Sequence, residues 1–191
     1  MKRLTIVGLR NFDSAYSGTR HNVGAMVLNQ LASRHSLIWT NKGDSDQAEW
    51  PANNSVLVLP RTFMNLSGRS VAKCFSKKED AASNLLVVHD ELELRLGQVK
   101  IKNGGSARGH NGIKSIIDCL SGLNNFPRVL VGIDRPASRD AKAVSSHVLT
   151  KFAKAELGSL DLGLDLACNM IEDHVAQRQA KLMSDSSKPP T

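Results

Sequence analysis

The sequence contains few cysteines. There are three, Cys74, Cys119 and Cys168, and they lie far apart without forming a Cys-x-x-Cys pair. An odd number of widely separated cysteines argues against a disulfide framework and against a zinc ribbon. This usage fits a reducing compartment, and we interpret the three thiols as core side chains of helix-like segments.

Long apolar runs are also absent. No stretch of about eighteen apolar residues occurs, so the sequence predicts no membrane span. The chain reaches a strand-like run at Leu4, with neither a signal-peptide hydrophobic region nor a transit segment before it, and we expect a cytoplasmic protein, with a mitochondrial location left open. The 41% hydrophobic and 23% charged residues are ordinary for a globular chain. We expect one domain over residues 1–183 and a flexible tail over residues 184–191.

Motifs for nucleotides, metals and covalent catalysis are missing. The glycine-rich stretch at residues 103–112 has neither the ending of a Walker A loop nor the spacing of Gly-x-Gly-x-x-Gly. Neither Gly-x-Ser-x-Gly nor His-Glu-x-x-His occurs. His89, Asp90 and Glu91 are adjacent, and neighbours on an extended chain point in opposite directions, so they make a poor metal set. We therefore predict no metal, no cofactor and no covalent nucleophile, and we interpret His89 as a satisfied core residue.

Positive charge is concentrated in one part of the chain. The formal net charge is +7, from 25 Lys and Arg against 18 Asp and Glu. Residues 97–154 contain ten basic and three acidic residues, so this stretch carries the whole excess and the remainder is neutral. Charge alone leaves two interpretations open, a face that contacts the phosphates of a nucleic acid and a solvated basic surface.

The apolar spacing alternates between strand-like and helix-like periods, which indicates an α/β domain with parallel neighbours as the default. The stretch 39–54 is polar and irregular, and the sequence predicts no element there. The predicted strands span residues 4–9, 55–59, 85–89, 98–102 and 128–133, and the predicted helices span residues 22–35, 67–75, 111–120, 141–149 and 154–182.

Polar side chains follow three of the predicted strands. Asn11 and the segments 62–65 and 89–91 lie where apolar runs end. Functional residues of open α/β sheets gather at the carboxyl ends of strands, so we expect these groups to meet. His21 stands at a loop-to-helix junction, where an imidazole can act as a general base near neutral pH. A histidine, an aspartate and several asparagines suit ester hydrolysis by an activated water.

Five motifs, in this order, resemble the successive signatures of the bacterial-type peptidyl-tRNA hydrolase family. They are Gly8-Leu-Arg-Asn11, Thr19-Arg-His-Asn-Val-Gly24, Thr62-Phe-Met-Asn-Leu-Ser-Gly68, His89-Asp-Glu-Leu92 and Gly109-His-Asn-Gly112, with Tyr16 between the first two. The resemblance implies a single α/β domain with a twisted, mixed, mostly parallel sheet flanked by helices. It also implies metal-free cleavage of the ester between peptide and tRNA, which recycles tRNA from stalled or aborted translation.

The resemblance assigns roles to residues of the cleft. His21 is the expected general base that activates water, Asp90 orients and stabilises it, and Asn11 positions the 3′ end or the base–water pair. The residues implied to contact the substrate are Asn65, Asn111, Met64, Tyr16 and His110.

For the tRNA, the resemblance implies a clamp on the 5′ phosphate of the acceptor stem. Lys100 and Lys102 occupy the corresponding positions, and Arg128 is the expected further phosphate contact. This placement agrees with the charge concentrated in residues 97–154. The implied partner is peptidyl-tRNA, bound through its acceptor stem and 3′ end by a protein expected to be a monomer.

The sequence departs from the family pattern at three places. Phe12 and Asp13 stand where the family usually has Pro-Gly after Asn11, Leu130 stands where a second Arg is common, and Asp134 replaces a glycine. Two alternatives to an active enzyme stay open, an RNA-binding relative that has lost catalysis and a basic α/β domain of unrelated function. The complete hydrolytic set disfavours the first alternative, and the ordered motifs disfavour the second.

Overall fold

The computed structural model describes residues 2–186. Seven strands form one sheet: β1 (Leu4–Gly8), β2 (Trp39–Asn41), β3 (Ser45–Trp50), β4 (Ser55–Pro60), β5 (Leu85–Glu91), β6 (Val99–Asn103) and β7 (Pro127–Gly132). Their order is β2-β3-β4-β1-β5-β7-β6. The central strands β4, β1, β5 and β7 run parallel, and the outer strands pair antiparallel. This confirms the α/β class with a mixed, mostly parallel sheet.

The stretch 39–54 holds the hairpin of β2 and β3, so the prediction of no element there is wrong. Strand β3 pairs with β4 along its whole length. Ala48 and Trp50 are buried while Glu49 stays exposed, which is the alternation of a half-buried strand. The pairing with β4 and this burial stabilise the strand, and neither can be predicted from the local composition.

Six helices flank the sheet: α1 (Val23–Arg34), α2 (Ser67–Ala72), α3 (Ala81–Asn84), α4 (Asn111–Cys119), α5 (Ala141–Val148) and α6 (Leu157–Ser186). The apolar faces of α1 and α6 pack on one side of the sheet, and those of α2 and α4 pack on the other. None of the helices within residues 2–186 is long and apolar enough to cross a membrane.

Helix α6 continues to Ser186. Residues 187–191 lie outside the described part of the chain, so the flexible tail expected over residues 184–191 stays a prediction.

The strand order determines where a site can form. Strand β1 lies between β4 and β5, so the chain leaves β1 towards one side of the sheet and later returns to the other. Open α/β sheets bind ligands at such a switch point, outside the carboxyl ends of the two strands. In this protein those ends are Gly8, which leads into Asn11, and Asp90 with Glu91.

Helix α1 approaches the sheet closely at its first turn. A Cβ atom on Gly24 would lie 2.4 Å from the carbonyl oxygen of Val88, and one on Gly8 would lie 2.5 Å from the carbonyl oxygen of Gly24. Any side chain at either position would force these backbones apart. The close contact brings His21, which lies just before α1, to the end of β5.

Candidate active site

A cleft of about 700 Å³ opens at the carboxyl ends of β1 and β5. Its walls come from the segments that follow β1 and β4, from the end of β5, from the start of α4 and from α5. Every residue predicted for catalysis or peptide contact lines it: Asn11, Tyr16, His21, Met64, Asn65, Asp90, His110 and Asn111. The fold thus brings together residues that lie up to a hundred positions apart in the chain.

His21 and Asp90 form a buried hydrogen-bonded pair in this cleft. His21 lies in the 3₁₀ turn Arg20–Asn22 and is 8% exposed, and Asp90 is 4% exposed. The Nδ1 atom of His21 lies 2.8 Å from Oδ1 of Asp90. Because a carboxylate only accepts, Nδ1 carries the proton and Nε2 keeps its lone pair. Nε2 has no hydrogen-bond partner within residues 2–186.

The electrostatics of the pair favour an ionised carboxylate beside the imidazole. Burial lowers the pKa of His21, but the charge of Asp90 and its hydrogen bond outweigh burial and raise that pKa above the usual 6.5. Burial also disfavours the charge on Asp90, yet His21 and His110 hold the pKa of this carboxyl well below its ordinary range. Asp90 therefore stays ionised at neutral pH and fixes the tautomer of His21.

His110 is a second imidazole bound to Asp90. It is the N-cap of α4, and its Nδ1 accepts hydrogen bonds from the backbone N–H groups of Gly112 and Ile113 at 3.1 and 3.3 Å. The proton consequently lies on Nε2, which donates to Oδ1 of Asp90 at 3.0 Å. These bonds fix the orientation of the His110 ring and hold the start of α4 against the carboxylate.

His21, Asp90 and His110 are compact enough to resemble a metal site, since their ligand atoms lie within 4.8 Å of one another. The hydrogen bonds of His110 argue against metal binding. Both ring nitrogens of His110 are engaged, one as acceptor and one as donor, so this ring offers no free lone pair. His21 and Asp90 alone fall short of the three or four protein ligands of a typical zinc site. These residues do not fit a metal.

His89 lies behind the pair and is only partly satisfied. Its Nδ1 donates to the backbone carbonyl of Asp90 at 2.7 Å, and its ring stands edge-on to that of His110 with centroids 4.7 Å apart. Its buried Nε2 has no partner among residues 2–186. Burial, and then the proximity of His110, lowers the pKa of His89 to about 3. The prediction of a core residue is confirmed, and the prediction of full satisfaction is wrong.

Asn22 holds Asn11 in place, and it was not among the predicted site residues. Its Oδ1 accepts from the backbone N–H of Asn11 at 2.8 Å, and its Nδ2 donates to the carbonyl of Asn11 at 3.0 Å. The Oδ1 of Asn11 accepts from the backbone N–H of Met64 at 2.8 Å, so its Nδ2 is the atom available to a ligand. The available signal was the place of Asn22 in the motif of residues 19–24, directly after His21.

Arg20 was also missed, and it fixes the turn that carries His21. Its Nη2 atom makes a bidentate contact to both carboxylate oxygens of Glu156, each at 2.7 Å. Its Nη1 atom donates to the carbonyl of Lys151 at 2.7 Å, and its backbone N–H donates to that of Thr150 at 3.0 Å. The turn is therefore attached to the segment that leads into α6.

The amides expected to contact the substrate are exposed at the cleft. Asn65 lies in a 3₁₀ turn after β4, and Asn111 is the first residue of α4. Met64 is buried beneath them. The ring of Tyr16 stands edge-on to that of Phe63 with centroids 6.4 Å apart. Amide donors thus flank an apolar wall, an arrangement that suits a peptide backbone.

The predicted phosphate contacts divide into two groups, and neither lines the cleft. Lys100 and Lys102 are exposed on the edge strand β6 and point to the same side, because they alternate with the more buried Val99 and Ile101. Leu130, which pairs with Lys100 across the strands, is buried.

Arg128 requires a correction. It is 3% exposed, and its guanidinium donates to the backbone carbonyls of Gly105, Ser106 and Asn124. The side chain holds the glycine-rich loop and does not present a free cation. We therefore remove Arg128 from the predicted phosphate-binding set.

Comparison with known proteins agrees with this geometry. A family model described as peptidyl-tRNA hydrolase matches residues 5–190. A peptidyl-tRNA hydrolase of Citrifermentans bemidjiense is 43% identical over 182 residues, which are 94% of this chain and 95% of the relative. A probable peptidyl-tRNA hydrolase of Mus musculus is 42% identical over 93% of this chain and 87% of the relative.

A solved structure is similar as well. The crystal structure of a peptidyl-tRNA hydrolase from Acinetobacter baumannii superposes with a TM-score of 0.83 at 32% identity, covering 95% of this chain and 93% of the other. The family match, the relatives and the fold agree along nearly the whole chain. By sequence and by fold, this chain belongs to the peptidyl-tRNA hydrolase family.

Proposed function

We propose that this protein hydrolyses the ester bond between peptide and tRNA in peptidyl-tRNA and so recycles tRNA from stalled or aborted translation. One observation carries the proposal. His21 lines the cleft, is bound to Asp90 through Nδ1, and keeps a lone pair on Nε2. This is the state in which an imidazole accepts a proton from water.

The mechanism follows from that tautomer. Nε2 of His21 takes a proton from a water as the water oxygen attacks the ester carbonyl. Asp90 stabilises the resulting imidazolium across the 2.8 Å hydrogen bond. The side-chain amide of Asn11, and those of Asn65 and Asn111, are placed to donate to the oxyanion and the peptide carbonyls. The C–O bond to the ribose then breaks, and the imidazolium returns its proton to the departing ribose oxygen.

In this proposal the tRNA is held outside the cleft. Lys100 and Lys102 on β6 bind the phosphates of the acceptor stem, and the single-stranded 3′ end extends from this edge to His21. The lysines supply affinity and orientation, while the reacting groups lie at the ends of β1 and β5. We expect this division because exposed lysines neutralise phosphates well and a buried His–Asp pair does not.

The test is release of the peptide from N-acetyl-aminoacyl-tRNA, measured for the wild type and for His21→Ala. We expect turnover by the wild type at neutral pH and a loss of about 100-fold or more in the variant. EDTA should leave the rate unchanged. Tight tRNA binding without turnover would instead support an RNA-binding relative that has lost catalysis. A variant as fast as the wild type would remove His21 from the role of base.

A further inference from the structure

Phe12 is an exposed aromatic residue directly beside the catalytic asparagine. It is 41% exposed, and its backbone N–H donates to the carbonyl of Thr62 at 3.1 Å. Next to this bond, the N–H of Met64 donates to the side chain of Asn11. Two hydrogen bonds thus join the segments that follow β1 and β4, and each segment carries an exposed phenyl ring, Phe12 on one and Phe63 on the other.

Two arginines hold the ring of Phe12 in place. The guanidinium carbons of Arg10 and Arg61 lie 5.1 and 4.2 Å from its centroid. Asp46 fixes both arginines, at 2.5 Å from Arg10 and at 2.9 Å from Arg61. Phe12 belongs to neither core cluster, so its ring is ordered by cation–π contacts while a large part of its surface stays open to solvent.

The sheet order indicates which part of the substrate reaches Phe12. Lys100 lies on β6 at one edge of the sheet, and His21 stands over β1 and β5. Phe12 is on the far side of His21, since it is bonded to Thr62, which follows β4. A substrate that enters with its phosphates at β6 therefore directs its peptide towards Phe12. Asp46 offsets part of the arginine charge, which favours an apolar occupant over another phosphate.

We propose that Phe12, framed by Arg10 and Arg61, is a specificity-determining residue that binds an apolar side chain of the peptide, upstream of the residue esterified to tRNA. The proposal rests on the proposed hydrolysis of peptidyl-tRNA. Phe12 does not line the cleft that holds His21. An acetylated single residue extends only about 7 Å from the ester, whereas an acetylated tetrapeptide extends roughly 17 Å and so has the greater reach towards Phe12.

The experiment compares three substrates in wild type, Phe12→Ala and a control. The substrates are N-acetyl-Ala-tRNA, N-acetyl-Leu-Leu-Leu-Ala-tRNA and N-acetyl-Ser-Ser-Ser-Ala-tRNA. Phe12→Ala should lower kcat/KM about three- to tenfold for the leucine substrate and leave the other two within about twofold. The matched control is Ile38→Ala, which truncates an 82% exposed side chain before β2 and should change none of the three.

Other outcomes would overturn the proposal. An equal loss with all three substrates would mean that Phe12 contacts the tRNA. An equal loss with both long peptides would mean that Phe12 contacts the peptide backbone and not an apolar side chain. No loss with any substrate would exclude a binding role. If the wild type hydrolyses none of them, the proposed function fails separately. In that case the dissociation constants of the same three substrates are compared between wild type and Phe12→Ala. Weaker binding of the leucine substrate alone supports the proposal, and an equal change with all three, an equal change with both long peptides or no change overturns it.

Discussion

At the scale of single residues, Asp90 is bonded to all three histidines at the candidate site. Its side chain accepts hydrogen bonds from His21 and His110, and its backbone carbonyl accepts one from His89. Each bond fixes the tautomer of one imidazole: the proton lies on Nδ1 in His21 and His89 and on Nε2 in His110. His21 and His89 both keep a lone pair on Nε2, but that of His89 is buried, which leaves His21 to face the cleft.

The buried His89, whose Nε2 has no partner among residues 2–186, makes the stability of the fold depend on pH. His89 has a pKa of about 3 in the folded protein and about 6.5 when unfolded, so the unfolded chain binds a proton first as the pH falls. The contribution of neutral His89 to the free energy of unfolding is therefore fully present above pH 6.5. It declines towards pH 3, by at most about 1.4 kcal/mol per pH unit. Urea unfolding at pH 4.5, 5.5 and 6.5 should show a smaller decline in His89→Asn. Equal slopes in both proteins would contradict this origin.

The residue scale also shows what the sequence could predict. Asn11 and Asp90 were predictable because each follows an apolar run, and His21 was predictable because it stands at a loop-to-helix junction within a family motif. The burial of Arg128 was not predictable, because it depends on the glycine-rich loop folding over the start of β7. Asn22 and Arg20 stand in the motif of residues 19–24, but the contacts of Asn22 to the backbone of Asn11 and of Arg20 to Glu156 depend on the fold and could not be predicted from that motif.

At the scale of elements, helix α1 sets the position of His21. Its first turn contacts the backbones of β1 and β5 without an intervening side chain, and the preceding turn is attached to Glu156 through Arg20. The periodic pattern predicted α1 well, because its apolar face is regular. The hairpin of β2 and β3 could not be predicted in the same way, since its stability comes from pairing with β4.

Gly24→Ala tests the close approach of α1. The added Cβ would lie 2.4 Å from the carbonyl oxygen of Val88, so we expect a loss of about 1–3 kcal/mol in the free energy of unfolding. The rate should fall about tenfold or more, because the helix would carry His21 away from Asp90. Chemical denaturation and peptide release measure the two effects.

Gly158→Ala is the matched control for this change. Gly158 lies at the start of α6, and a Cβ there meets no atom within 4 Å. Because alanine favours a helix, stability should stay unchanged or rise by about 0.5 kcal/mol, with normal activity. If Gly24→Ala behaved like this control, the close approach would not position the base.

At the scale of the whole molecule, the excess positive charge and the proposed catalytic residues lie in different parts of the chain. The stretch 97–154 carries the entire net charge of +7, while His21, Asp90 and Asn11 belong to the neutral remainder. The motifs predicted both sets of residues, but the fold alone shows that Lys100 and Lys102 lie at a sheet edge and that His21 lies at the switch point. The monomeric state and the cytoplasmic location stay predictions.

This separation predicts that binding and catalysis can be changed independently. Lys100→Ala combined with Lys102→Ala should raise KM with little change in kcat. The slope of log KM against log salt should flatten by about 1.5, as expected for two lost phosphate contacts. Lys42→Ala with Lys77→Ala, two exposed lysines outside the basic stretch, is the control. An unchanged salt slope in the first variant would remove Lys100 and Lys102 from the phosphate site.

The most direct test of the central claim is the pH dependence of kcat/KM in the wild type and in Asp90→Asn. A general base at His21, with a pKa raised by Asp90, predicts an acid limb whose midpoint lies above 6.5 in the wild type. Loss of the carboxylate should lower that pKa, so the limb should move to lower pH while the plateau rate falls. An acid limb that stays in place, or moves to higher pH, would contradict the assignment of His21 and Asp90.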